Sequence, residues 1–372
     1  MLLRYIYGSE YLVSSENSGV QALWPQEEDV VHMPSTKPLI ASEANRERAQ
    51  VPRPRQTRPP RLTAADFTPE RMLRPTAQVP TDGMRRAVYI LSGGFVAISP
   101  SAAELRRRDL VAQVKTPIAG CRKVAFVSRK GGVGKTTTCL LVGHTFASCR
   151  GDRVVALDAD PDAGTLGYRL RRETAETVAT LLRDRLLIGR YADVRAYSSQ
   201  ASSRLEVIAG DERSEIADAI GAADVGQAVG VLELHYNLVC LDTAPGVLGS
   251  AAQGVLQATD QLVIVSATSL DGARTASSTL DWLEEHGHGR LASSAVTALN
   301  GVRAERGGVD VDRIEEHFAS RCRACVRIPW DSHLEAGAEV ALDELRPDTR
   351  EAFLELAAAI ACGFTQPVRR RS

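Results

Sequence analysis

The residues with the clearest chemical meaning lie in Ser128-Arg-Lys-Gly-Gly-Val-Gly-Lys-Thr-Thr-Thr138. Gly131, Gly132 and Gly134, with Val133 between them, let the backbone curl until successive N–H groups face one point. A helix opening at that point adds positive potential, so the segment is built to hold phosphate. Lys135 would reach the β- and γ-phosphates of a nucleotide, the Thr136 hydroxyl would hold Mg²⁺, and Thr137 is placed for an inner phosphate. The general pattern G-x-x-x-x-G-K-[ST] is not fully met, because its first glycine position is Arg129.

Such a loop works only between a strand and a helix. Short β-branched runs occur at Val124–Ser128, Val154–Asp158, Leu205–Ala209, Leu238–Asp242, Leu262–Ser266, Ala295–Asn300 and Ala324–Ile328. Helical patterns lie between them, at Thr136–Ser148, Glu212–Leu232, Ala273–His286 and Thr349–Ala361. Continuous apolar strands alternating with helices predict an α/β fold, a doubly wound and mostly parallel sheet covered on both faces. Two of these strands end in carboxylates, Asp158 and Asp242, and Asp160 follows the first. A buried carboxylate beside a phosphate loop needs a positive partner, and Mg²⁺ with its waters supplies one.

Lys130-Gly-Gly-Val-Gly-Lys-Thr-Thr137 resembles the deviant Walker A loop of the MinD/ParA family of P-loop ATPases, which carries a second lysine five residues before the usual one. Leu157-Asp-Ala-Asp-Pro-Asp162 is similar to the family's switch I, and Leu238-Val-Cys-Leu-Asp-Thr-Ala-Pro-Gly246 to its Walker B strand and switch II. Asn300 stands where the family places an adenine-reading amide. Ile328-Pro-Trp-Asp-Ser-His-Leu-Glu-Ala-Gly337 is similar to a family segment whose backbone borders the base, at Pro329. The resemblance covers roughly residues 115–365. It implies ATP and Mg²⁺ as cofactors, Mg²⁺ being held by Thr136 and, through water, Asp242. It also implies an ATP-dependent homodimer in which Lys130 reaches the facing nucleotide, with slow, partner-stimulated hydrolysis. Lys130, Lys135 and Asp160 would form the catalytic set, with Asp160 orienting the attacking water. Asp158 is the alternative for that role, or an outer member of the metal site.

The rest of the chain is organised by charge and proline. Residues 1–33 carry net charge −4, residues 34–86 carry +6, and the remainder −3. Nine of the seventeen prolines lie between Pro34 and Pro80, interleaved with arginines, so this stretch cannot hold a helix or a sheet ladder. The expected layout is an N-terminal segment 1–33, a disordered Pro/Arg-rich linker 34–84, an adaptor 85–114, the ATPase domain 115–365 and a basic tail 366–372. The linker would be either an inert spacer or a docking arm for an acidic partner or membrane surface.

The arm, the adaptor (Arg86–Gly94 and Glu104–Leu110) and the ATPase domain together resemble the MinD-like proteins that accompany mycobacterial type VII (ESX) secretion systems, the EspI type. That resemblance implies a switch that regulates or positions a secretion or cell-envelope assembly, with a secretion component as partner. Two alternatives remain open. One is a DNA-partitioning ATPase, although residues 303–327 offset six arginines with five acidic residues and nucleic acid is not indicated. The other is an iron–sulfur carrier using Cys322 and Cys325, which are more simply read as small buried apolar residues. No secretory leader opens the chain and no apolar run is long enough to span a bilayer, so a cytoplasmic protein is expected, or one held at the inner face of the membrane by a partner. The tail Gln366–Ser372 is too short and too polar to anchor by itself.

Overall fold

The computed structural model describes residue 91 and residues 100–160, 164–211, 221–246, 250–303, 308–335 and 337–365. The chain divides into two units, residues 1–74 and 75–372, and every described residue belongs to the second. The N-terminal segment, the Pro/Arg-rich linker, the first part of the adaptor and the basic tail lie outside the described residues.

Among the described residues eight strands form one sheet: β1 Arg122–Val127, β2 Val154–Ala159, β3 Ser199–Gln200, β4 Glu206–Ile208, β5 Leu238–Thr243, β6 Gln261–Ala267, β7 Val296–Val302 and β8 Ala324–Pro329. Their order is β3-β4-β2-β5-β1-β6-β7-β8. Every pairing is parallel except the short edge pair β3–β4, as the alternation of apolar runs and helices predicts. The helices are α1 Ala102–Val114, α2 Lys135–Cys149, α3 Val178–Arg183, α4 Tyr191–Arg195, α5 Ala222–Leu232, α6 Ser250–Ala258, α7 Leu270–Glu285, α8 Gly289–Ser293, α9 Val311–Arg321, α10 Ser332–Glu335 and α11 Pro347–Ala361. The helix expected from Glu212 is described from Ala222 onward; residues 212–220 lie outside the described residues.

Alternation along the strands builds two cores. Val124 and Phe126 of β1 join Leu140, Phe146, Phe353 and Leu356 on one face, whereas Ala125 and Val127 join Val229, Leu280 and Phe318 on the other. Each fully buried Leu or Phe contributes about 1.5–3 kcal/mol, so the two cores fix the strand register. That register sets Phe126 level with Asp242, and Asp242 level with Asp158, at the carboxyl ends of β1, β5 and β2.

Helix α1 was legible only as part of an adaptor. It packs with α11 on the first core: Val114 is fully buried, Leu110 and Val111 lie against the cluster, and Arg106 pairs with Glu355 at 3.1 Å. Ser101 caps it, accepting the Glu104 N–H at 3.1 Å. At the far end of α2, Arg204 adopts φ 74° and its guanidinium donates to the carbonyls of Ala147 and Arg150 at 2.9 Å, closing the helix terminus.

Candidate functional site

The phosphate loop runs from the end of β1 into α2, as its chemistry requires. Gly132 and Gly134 hold φ 74° and 85°, the left-handed region that glycine enters without penalty. At Gly134 a Cβ would also meet the Asn300 amide nitrogen at 2.7 Å, so two independent constraints select glycine there. The start of the loop is tied by Ser128. Its hydroxyl accepts the Lys130 N–H at 3.2 Å, and its carbonyl accepts the Gly246 N–H at 2.9 Å, which joins the loop to the segment after β5.

Asn300, at the end of β7, holds the loop from the other side. Its amide nitrogen donates to the Val133 carbonyl at 2.9 Å, to the Gly134 carbonyl at 3.4 Å and to the Thr138 hydroxyl at 2.9 Å. Its Oδ1 is buried and has no hydrogen-bond partner among the described residues. Thr138 in turn donates to the Gly134 carbonyl at 2.8 Å. The sequence suggested base contact for Asn300; in the structure its amide braces the turn of the loop.

Lys135 is buried and its ammonium lies 2.9 Å from the Asp242 carboxylate, while also donating to the Thr243 carbonyl. Burial pushes the Asp242 carboxyl above its usual range, and the Lys135 charge and the Thr136 hydroxyl pull it back. Asp158 is fully buried, and burial together with the neighbouring Asp242 charge pushes its carboxyl up to about 7. It accepts N–H bonds from Asp160 at 3.2 Å and Leu166 at 3.1 Å, so it is tied to the backbone on both sides of residues 161–163. Gly164 and Gly210 pack so closely on it that a Cβ would sit 2.1 Å and 3.1 Å from its carboxyl atoms. Nothing in the sequence marked these glycines or Leu166 as supports of Asp158, because their contact is made only in the folded chain. Asp160 is half-exposed beyond the strand end and close enough to act electrostatically on both Asp158 and Asp242. Lys130 is exposed on the loop.

These positions bring together Lys135, Thr136, Asp158, Asp160 and Asp242, with one ammonium for three carboxylates. The donors are hard oxygens from a hydroxyl and carboxylates, which suits Mg²⁺. Among the described residues no group of three or more His, Cys, Asp or Glu is arranged to hold a metal by itself. Pro329 ends β8 opposite Val302, next to the bulge between Asn300 and Val302 where Gly301 adopts φ 75°. Trp330 follows it, with the Arg303 guanidinium 4.7 Å from its ring centroid. Cys322 is buried and its sulfur accepts the Thr297 hydroxyl at 3.4 Å, while Cys325 packs partly against the same core.

A parallel sheet with this loop at the carboxyl end of its central strand defines a P-loop nucleotide-binding fold of the MinD/ParA type. Residues 121–292 match the family model described as an AAA domain. The fold aligns with a ParA family ATPase from Chlorobium tepidum at TM-score 0.55 and 20% identity, covering 64% of this chain and 98% of that one. It aligns with the cell division ATPase MinD of Pyrococcus furiosus at TM-score 0.52 and 19% identity, again over 64% of this chain and 98% of the other. In sequence, the chain is 37% identical over 290 residues to the ESX-1 secretion-associated protein EspI of Mycobacterium tuberculosis. That match takes in 77% of this chain but 43% of the relative, so the chain spans less than half the length of that curated relative. The fold is that of the MinD/ParA-type P-loop proteins, and the sequence fits a MinD/ParA-like ATPase related to EspI.

Proposed function

We propose that the protein hydrolyses ATP as a dimerisation switch, and that this switch regulates or positions a type VII (ESX) secretion or cell-envelope assembly. The observation that carries the switch is the pair of lysines on one loop: Lys135 buried against Asp242, and Lys130 exposed five residues earlier. Lys135 suffices to bind triphosphate within one protomer. Lys130 is therefore available to a facing protomer, where its ammonium stabilises γ-phosphate charge only when both sites are filled.

In this reading Lys135 exchanges Asp242 for the β- and γ-phosphates, and Asp160 orients the attacking water. Thr136 and, through water, Asp242 would hold Mg²⁺, which when bound would supply positive charge beside the transferring phosphoryl group. Asp158 positions Asp160 through the backbone. Asn300 keeps the loop in shape and, with Pro329, borders the base. The secretion assignment rests on the relation to EspI, and the partner would be a secretion component bound through the N-terminal arm.

The test measures mass by light scattering with a non-hydrolysable ATP analogue. Wild type and Asp160→Ala should dimerise, and Lys130→Ala should keep ATP affinity within a few-fold yet stay monomeric and inactive. A Lys130→Ala protein that pairs like Asp160→Ala reduces the site to generic nucleotide binding. Pull-downs with full-length Asp160→Ala and with a chain starting at Arg85 then test the arm. A salt-sensitive shift of nonspecific duplex in ATP would favour DNA partitioning instead.

A further inference from the structure

Away from the nucleotide site, the turn between α3 and α4 exposes two adjacent large apolar side chains. Leu186 is 88% exposed and Leu187 80%, the two most exposed large apolar residues among the described residues between 100 and 365. Isolated exposed leucines are ordinary, but a contiguous pair on one tip marks a contact surface.

The exposure is imposed by the surroundings. Leu181 before the turn and Ile188 after it are both core residues, so the segment is pinned on each side. The Leu187 N–H donates to the Asp184 carbonyl at 2.8 Å, closing a tight turn. Asp193 then accepts the N–H groups of Gly189 and Arg190 at 3.1 and 2.8 Å. With both flanks fixed, the leucines cannot fold back onto the core.

Charge indicates what meets them. The tip carries Arg183, Arg185 and Arg190. Its one carboxylate, Asp184, is already occupied by Arg183 at 2.8 Å and the Tyr197 hydroxyl at 3.0 Å. Arg185 and Arg190 form no ion pair among the described residues. The tip is therefore apolar at its point and positive around it. A nucleic acid would satisfy the arginines and leave the leucines in water. An anionic bilayer satisfies both, because its acyl boundary lies beneath a layer of negative headgroups.

We propose that the Arg183–Arg190 turn is a contact for an anionic lipid surface, inserting Leu186 and Leu187 while Arg185 and Arg190 meet the headgroups. Two leucines carry fewer apolar carbons than one myristoyl chain, which alone binds only marginally, so the contact is reversible and acts together with a second attachment. It is independent of the nucleotide reading and of residues 366–372.

The test uses the full chain and vesicles of phosphatidylcholine with and without phosphatidylglycerol. Wild type should co-sediment only with the anionic vesicles. Leu186→Ser with Leu187→Ser should weaken this by about tenfold while leaving thermal stability and ATP affinity unchanged. Because the basic arm at 34–86 can also attract anionic vesicles, Leu187→Trp supplies a local readout. Its fluorescence should be quenched by brominated lipids beyond the quenching of the three native tryptophans. Absence of wild-type binding, equal binding by the serine variant, or no added quenching would each overturn the proposal. A change in mass by light scattering without vesicles would show instead that the tip joins copies of this chain.

Discussion

Replacing Lys135 by alanine tests the electrostatic logic of the site more severely than a loss of activity could. The ammonium sits 2.9 Å from Asp242, with the two side chains 9% and 3% exposed. Removing it leaves Asp242 buried and level with Asp158 on the adjacent strand. Breaking a buried pair in this way costs about 3–5 kcal/mol. The protein has an escape, because Asp242 can take up a proton. Raising a carboxyl from its usual value near 3.9 to pH 7 costs about 4 kcal/mol, and to pH 5 only about 1.5 kcal/mol.

The penalty is thus capped by protonation and depends on pH. In the variant the folded-state pKa of Asp242 lies above its unfolded value, so stability is retained at low pH and lost as pH rises. Urea unfolding should show Lys135→Ala about 3–4 kcal/mol less stable than wild type at pH 7, narrowing to about 1–2 kcal/mol at pH 5. Adding Asp242→Asn should recover most of that stability. Calorimetry should show ATP affinity reduced by at least about 10- to 150-fold, the equivalent of a charge-assisted hydrogen bond of about 1.5–3 kcal/mol, with no recovery in the double variant. An equal stability loss at both pH values, or no recovery with Asp242→Asn, would refute the pairing argument. Unchanged ATP affinity would refute the phosphate-loop assignment itself.

Two other perturbations probe the supports around the site. Burial pushes the His144 imidazole down to about 4, and its Nδ1 meets the Ser203 hydroxyl at 2.7 Å. Its folded pKa lies below the unfolded value, so its contribution is complete above about pH 6.5 and lost as pH falls toward about 4, by about 3 kcal/mol in all. Unfolding measured across that window should be flatter in His144→Gln, and an unchanged slope would show that His144 does not govern it. Gly134→Ala should weaken ATP binding and stability together, since left-handed alanine costs about 1–2 kcal/mol and its Cβ would strike Asn300. Combining it with Asn300→Ala should relieve the clash but not the backbone strain. Full recovery of stability in that pair would remove the backbone term from the argument.

The parallel sheet was legible because its strands are continuous apolar runs, and the loop because glycine spacing before Lys135 has few other uses. Element edges were less so, for identifiable reasons. Strand β1 begins at Arg122, two residues before its apolar run. The fold buries these charges with partners more than a hundred positions away: Arg122 on the Phe364 carbonyl at 2.6 Å, and Lys123 beside Asp260 at 3.2 Å. Helix α1 has almost no apolar stripe in its charged sequence, and its packing becomes visible only once α11 lies against it. Asn300 illustrates the same limit at the site. A strand-end amide can be suspected of reading a base, but its bonds to Val133 and Thr138 depend on how β7 lies beside β6 and the loop.

One side chain, Lys135, connects this arrangement to the proposed switch. Under the proposed switch Lys135 would turn from Asp242, 2.9 Å away, toward the β- and γ-phosphates of an entering nucleotide. Asp242 would then need another positive partner, a place that the Mg²⁺ site proposed at Thr136 and Asp242 would fill. The same ammonium also holds the Thr243 carbonyl, and the Gly246 N–H is bonded to Ser128 at the root of the loop. Moving Lys135 therefore removes a contact from the first residue after Asp242 while the bond at Gly246 stays available. The Gly246 bond places the segment 243–246 beside the root of the loop, so under the proposed pairing it would adjoin the surface that meets a facing protomer. Its shape would then depend on whether Lys135 faces Asp242 or phosphate, which ties the nucleotide state to the dimer surface through one side chain.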